Sequence, residues 1–230
     1  MHPTPVTLET LKRFCAIAGV DRREHLHNPI TIDGWLCATN GHLVIATPAT
    51  TGEEHAAAPD FVLKGIRPIR QMWEQVTDDL WQPWSTLHRD SRPAPQCDHC
   101  QGSGWVTVTG CTHCNGEGEF QHHGLLYDCQ NCDSYGALEK PATAQTPEAT
   151  PCEECDARGA VWDSLITHLP GIARFGMQEL YATQLHALPG IEWAPPHHSK
   201  TECGAIPIRF HGGWGAVMPY RIKSKAKRPT

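Results

Sequence analysis

Four Cys-x-x-Cys pairs constrain this chain more than any other feature: Cys97/Cys100, Cys111/Cys114, Cys129/Cys132 and Cys152/Cys155. They fall within 59 consecutive residues and use eight of the eleven cysteines. Two cysteines separated by two residues form a knuckle, a tight turn that points both sulfurs at one centre. Two knuckles supply the four tetrahedral ligands of a structural zinc, so four knuckles imply two closed sites and two Zn2+ ions per chain. A disulfide framework and redox-active Cys-x-x-Cys pairs are the alternatives. The lack of a secretory signal and the regularity of the repeats weigh against both.

The glycines follow the same repeat. The first two pairs continue as Cys97-Asp-His-Cys100-Gln-Gly102-Ser-Gly104 and Cys111-Thr-His-Cys114-Asn-Gly116-Glu-Gly118. A backbone folded round a metal needs positive-φ and close-approach positions after the second ligand, which glycine supplies at no steric cost. In the third and fourth repeats Ser134 and Ala157 replace the first glycine, while Gly136 and Gly159 keep the second. This stretch resembles the cysteine-rich zinc domain of the DnaJ chaperones, with its four CxxCxGxG repeats. The resemblance implies that Cys97, Cys100, Cys152 and Cys155 hold one ion and Cys111, Cys114, Cys129 and Cys132 the other. It has two departures. A 19-residue spacer containing Pro141, Pro147 and Pro151 separates repeats three and four and reads as a mobile loop. The His-Pro-Asp tripeptide of a J-domain occurs nowhere in the chain.

Charge is unevenly placed along the 230 residues, and its distribution says more than the net value of −6. Residues 91–159 carry ten acidic side chains against three basic ones. Eight thiolates on two divalent ions would add further negative charge. Residues 160–230 carry eight basic and four acidic groups, ending in Lys223, Lys225, Lys227 and Arg228. Phosphate binding needs cationic surface, so the cysteine-rich stretch is a poor nucleic-acid grip and the basic tail a better one. No apolar run approaches 20 residues, which excludes a membrane-spanning helix. The Met-His-Pro-Thr-Pro start lacks the charged and apolar segments of an export signal, and reduced cysteines fit the cytoplasm.

Outside the cysteine-rich stretch the pattern is helix then strands, twice over. Residues 8–18 place Leu8, Leu11, Phe14, Cys15 and Ala18 at helical spacing, with Thr7 as N-cap and Gly19 as stop. Residues 30–47 read as short strands joined by Asp33-Gly34 and Asn40-Gly41 turns. A small-residue loop (49–59) precedes a helical face over 65–81. Beyond the last knuckle, 162–169 reads as a strand, 177–188 as a helix, 191–203 as a loop, and 206–210 and 214–222 as strands.

The duplicated plan resembles one domain of the bacterial DNA polymerase sliding clamp. The hairpin Ala38-Thr39-Asn40-Gly41-His42-Leu43-Val44-Ile45-Ala46 is similar to that family's Ala-Thr-Asp-Gly-His-Arg-Leu-Ala. The strand Val217-Met218-Pro219-Tyr220-Arg221-Ile222 is similar to its closing Val-Met-Pro-Met-Arg-Leu. The implied fold class is α+β: a clamp-like domain of two helix-plus-strands halves (1–48 and 160–222), interrupted by a linker and helix (49–94) and a double zinc-knuckle insert (95–159), with a basic tail (223–230). The resemblance further implies a hydrophobic groove for partner peptides. A clamp ring contains six such domains, so encircling DNA would require homo-oligomers, and the helices offer it little charge beyond Lys12 and Arg13.

Catalysis has no visible machinery. There is no Ser or Cys nucleophile motif, no P-loop and no HExxH, and a four-sulfur zinc leaves no position for water. His99, His113, His122 and His123 are the histidines placed to substitute as a zinc ligand. The reading is therefore a non-enzymatic accessory protein of phage- or prophage-like DNA replication, with a protein of the replication machinery as its partner and DNA as a candidate second one. Two other functions compete with it: an inhibitor whose acidic insert mimics DNA before a host defence or nucleic-acid-binding protein, and a chaperone-like holdase.

Overall fold

The computed structural model describes residues 6–50, 55–162, 165–172, 175–197 and 203–222. The cationic tail positions Lys223, Lys225, Lys227 and Arg228 lie outside them. The chain divides into two compact units: a body, Met1–Pro93 with Trp162–Thr230, and a lobe, Ala94–Val161. In chain order the elements are α1 (Leu8–Lys12), β1 (Ile30–Ile32), β2 (Trp35–Thr39), β3 (Leu43–Pro48), α2 (Asp60–Glu74) and β4 (Gln82–Pro83). The lobe follows with β5 (Trp105–Gly110), β6 (Glu119–His122), β7 (Leu125–Asp128), β8 (Ala137–Ala142) and β9 (Thr150–Pro151). The body resumes with β10 (Ile166–His168), β11 (Phe175–Gln178), α3 (Glu179–Leu185), β12 (Glu192–Trp193), β13 (Ile206–Phe210), β14 (Gly213–Val217) and β15 (Tyr220–Arg221). The fold is thus mixed, mostly β with few helices. No helix of the described residues is long and apolar enough to cross a membrane.

The body is built on a seven-stranded antiparallel sheet in the order β1-β2-β3-β14-β13-β12-β4. Its first hairpins form at the turns that local chemistry dictates. Asp33 and Gly34 both adopt positive φ (48° and 80°) between β1 and β2. Between β2 and β3 the Asn40 side-chain oxygen accepts the His42 and Leu43 amides, which closes the turn around Gly41. The order helix then three strands occurs twice, as α1-β1-β2-β3 and as α3-β12-β13-β14. The two triplets join at β3 and β14, in register from Leu43↔Val217 to Ala46↔Trp214.

Both faces of this sheet are covered, because side chains alternate across a strand. On one face Leu36, Ala38, Leu43, Ile45, Ile206, Ile208 and Val217 share a core with Leu11 of α1, with Phe14 just beyond it, and with Leu180, Tyr181 and Leu185 of α3. On the other, Ile30, Ile32, Cys37, Val44, Ala46, Trp214 and Ala216 pack with Val62 and Ile66 of α2. The linker helix of the sequence reading is therefore a layer of the body. Trp73 fastens its end, donating its indole N–H to the Ile208 carbonyl at 2.7 Å. A second, three-stranded sheet, β10-β11-β15, stands beside α3.

Several element boundaries differ from the sequence reading for local reasons. The first helix is capped by Thr7 as expected, its side chain accepting the Thr10 amide. It ends at Lys12 rather than Ala18, since the Ala16 amide turns to the Leu26 carbonyl. The second begins at Asp60, straight after Pro59, and stops at Glu74, with residues 78–80 in a separate 3-10 turn. The strand expected over 162–169 is only Ile166–His168 among the described residues. The loop expected over 191–203 contains β12.

One buried carboxylate fixes the end of the body's first segment. Glu179, 3% exposed at the start of α3, accepts from the Arg89 guanidinium, the Asp90 amide and the Thr167 hydroxyl. Arg89 reaches on to the Thr183 hydroxyl at 2.7 Å. A buried charge is tolerated when its lone pairs are filled in this way.

Candidate metal centres and an apolar groove

The lobe's backbone is a ribbon of β8, β5 and β9, with a separate β6–β7 hairpin. The spacer between the third and fourth knuckles forms β8 and β9 rather than a mobile loop. Pro141 fits there because β8 is an edge strand.

All four knuckles close with the same two bonds. The amide five residues after the first cysteine donates to that cysteine's carbonyl, as Gly102 does to Cys97 (3.2 Å) and Ala157 to Cys152 (2.9 Å). The residue three beyond the second cysteine donates to the second, as Ser103 does to Cys100 and Tyr135 to Cys132. Knuckles then pair reciprocally through the backbone. Cys97 donates to the Gly159 carbonyl and Cys152 to Gly104, both at 2.9 Å; Cys111 donates to Gly136 and Cys129 to Gly118, both at 2.8 Å. First pairs with fourth, and second with third.

This pairing explains which glycines the degenerate repeats keep. A Cβ on Gly104 would strike the Ala157 carbonyl, and one on Gly159 the Gly102 carbonyl. The inner pair repeats this, with Gly118 against the Ser134 carbonyl and Gly136 against that of Gly116. The earlier glycine position meets no backbone so closely: a Cβ on Gly116 would find its nearest neighbour at 3.7 Å, and one on Gly102 would meet only the flexible Gln96 side chain, at 2.7 Å. Ser134 (φ +66°) and Ala157 (φ +59°) therefore occupy it at only the cost of a left-handed backbone.

The result is two buried sulfur tetrads, Cys97, Cys100, Cys152 and Cys155, and Cys111, Cys114, Cys129 and Cys132. In each, all four sulfurs lie within 4.8 Å of one another. The separations Cys97–Cys152 (4.0 Å), Cys100–Cys155 (3.7 Å), Cys111–Cys129 (3.8 Å) and Cys114–Cys132 (3.7 Å) are far too long for disulfides. They match a tetrahedron with metal–sulfur bonds of about 2.3 Å, whose edges are about 3.8 Å. Outer amides point at the sulfurs, with Gly104 to Cys100 and Gly118 to Cys114 at 3.2 Å and Gly159 to Cys155 at 3.3 Å. The donor set fits two tetrahedral metal ions, so the chain has a metal-binding role.

Burial and hydrogen bonds alone would not ionise these thiols together. The Asn131 amide, helped by the Cys114 amide, pulls Cys111 down to about 6. Burial opposes ionisation at Cys100, but amides led by Gly104 outweigh it and leave the thiol at about 7. Burial pushes Cys132 and Cys152 up to about 12. Four adjacent thiolates at neutral pH need a divalent cation among them.

The histidines stay outside both tetrads. His99 hydrogen-bonds to Glu139 at 2.6 Å, His113 sets its ring edge against Phe120, and His122 and His123 touch each other. Lys12 and Arg13 are both exposed, at the end of α1.

The body contains a feature that the sequence did not expose as a unit. A cavity of about 480 Å³ lies between α2 and the sheet, lined by Thr39, Gly41, His42, Leu43 and Val44 of the β2–β3 hairpin. Val217 and Met218 of the closing strand line it too, as do Phe61, Val62, Ile66 and Ile69 of α2. The Met218 amide donates to the His42 carbonyl at 2.7 Å, which ties hairpin to strand. Arg23, His25 and His42 are the cationic or titratable groups in the lining, and Arg23 is already paired with the Asp21 carboxylate, at 2.6 Å. Phe61 and Met218 are largely exposed, at 61% and 49%. The sequence signal was present in the apolar stripe of α2, but nothing local said which surface it would face.

A comparison with protein-family models, curated proteins and solved structures finds no match for this chain.

Proposed function

We propose that this protein is a non-catalytic, zinc-binding accessory factor of phage-like DNA replication that works by docking a partner protein in the body's groove. The observation that carries the reading is the composition of that groove. The two short segments that resemble the sliding clamp lie far apart in the chain, yet Thr39, Gly41, His42, Leu43 and Val44 line one cavity with Val217 and Met218. The repeated order of a helix and three strands supports the same resemblance.

The occupant is a short segment of the partner, with apolar side chains for the wall of α2 and a carboxylate to accept from the His25 and His42 rings at the rim. Four thiolates in tetrahedral array suit zinc, which has no redox chemistry to disturb a structural role. With every ligand position filled by sulfur, such an ion leaves water no place to be activated, and the lobe is structural rather than catalytic.

The test is a titration of the full chain with a fluorescein-labelled acidic peptide carrying Leu and Phe anchors. Saturable binding that weakens at least tenfold in Phe61→Ser with Met218→Ser supports the reading, because both side chains are exposed and the fold does not depend on them. Equal binding by that variant, or none by the wild type, rejects it.

A further inference from the structure

The β6–β7 hairpin is the most exposed apolar structure of the lobe. Its register sets Glu119 opposite Asp128, Phe120 opposite Tyr127, Gln121 opposite Leu126 and His122 opposite Leu125. Alternation then sorts the side chains. One face carries Phe120, His122, Leu125 and Tyr127; the other carries Glu119, Gln121, Leu126 and Asp128. The first is aromatic and apolar, with Phe120 and Tyr127 stacked at 6.0 Å, yet Leu125 is 60% exposed and Tyr127 43%. All eight strand residues are exposed. Among the described residues neither strand pairs with a third, so both outer edges keep free backbone donors and acceptors. Two-stranded sheets are marginal alone and gain from a further strand.

Charge identifies what would cover this hairpin. Glu119 and Asp128 face each other across the strands, an arrangement that repels. Residues 111–140 add Glu117, Asp133 and Glu139, with Lys140 as the one Lys or Arg. A strand laid along either edge would alternate its side chains between the two faces. Apolar residues would extend the Phe120–Tyr127 face, and Lys or Arg would meet the Glu119–Asp128 face. We infer that the lobe's hairpin takes up, by strand addition, an extended segment of another protein in which apolar residues alternate with Lys or Arg. This site is separate from the groove of the body and does not depend on it.

The probe is a fluorescein-labelled decapeptide of alternating Val and Lys, titrated against the full chain purified without chelator. The expected result is saturable binding. It should weaken at least tenfold in Leu125→Ser with Tyr127→Ser, and again in Glu119→Gln with Asp128→Gln, with metal content unchanged in both. A Val–Glu decapeptide should not bind, and methylating alternate backbone nitrogens of the Val–Lys peptide should abolish binding. Phe61→Ser with Met218→Ser should leave it unchanged, which separates this site from the groove. Three results overturn the inference: no saturable binding, wild-type affinity in either hairpin variant, or a dimer of the free chain that Leu125→Ser with Tyr127→Ser dissolves.

Discussion

The body and the lobe solve the same problem by different means. The body buries large side chains on both faces of one sheet, including Trp193, Trp214, Ile45, Met177 and Leu185, each under 2% exposed. The lobe has no comparable core. Its two buried clusters consist of the eight cysteines and Val106, with Val161 and Leu138 partly buried against them. Apolar burial is roughly proportional to area, and a handful of small side chains cannot offset the ordering of almost 70 residues. The body has a hydrophobic core of its own to fold around. In the lobe that part falls to the two sulfur tetrads and the metal they fit.

Chelation should therefore separate the two by the largest margin. A structural zinc supplies about 10–16 kcal/mol of apparent binding free energy, most of it folding free energy. A strong chelator should collapse the amide dispersion of residues in the lobe, followed by NMR, while the body's signals persist. Simultaneous loss of both sets would erase the contrast. Acid should act in the same direction, because protons compete with metal for thiolate. Lobe signals should fade on lowering the pH while the body's persist.

Within the body the largest single effect should come from Glu179. Replacing it by Ala leaves Arg89 without its buried partner and the Asp90 amide and Thr167 hydroxyl without an acceptor. The expected loss is about 3–5 kcal/mol by denaturant unfolding, at unchanged metal content. A smaller effect should sharpen the account of the lobe. Gly136→Ala drives a Cβ into the Gly116 carbonyl and should cost the inner site about 1–3 kcal/mol of metal affinity. Ala157→Gly relieves a left-handed backbone and should strengthen the outer site by about 1 kcal/mol. Unchanged affinity in Gly136→Ala, or weaker affinity in Ala157→Gly, would contradict the close-contact explanation of the repeats.

What could be read from the sequence was local. The four knuckles follow from Cys-x-x-Cys spacing, and the Asp33-Gly34 and Asn40-Gly41 turns from residues that tolerate positive φ; which knuckle joins which was implied only by the resemblance to the DnaJ cysteine-rich domain. Prolines misled where edge strands admit them: Pro141 and Pro151 suggested a loop, yet they lie in β8 and β9. The helix start at Asp60 was hidden because Leu63, Ile66 and Ile69 fit several frames, and Pro68 sits inside the helix. The groove was legible only in halves. Its hairpin and closing strand were each visible as motifs, but their meeting with α2 is tertiary, and no spacing rule contains it. The sulfur contacts that join the knuckles likewise span 55 residues and 18.

The pairing of knuckles is the central claim, and native mass spectrometry of double variants tests it most directly. The wild-type chain should carry two zinc ions. Cys97→Ser with Cys152→Ser removes two ligands from one tetrad and should leave one ion, whereas Cys97→Ser with Cys111→Ser damages both and should leave none. The reverse pattern, one ion retained in the second variant and none in the first, would mean that neighbouring knuckles share a metal and would contradict the account.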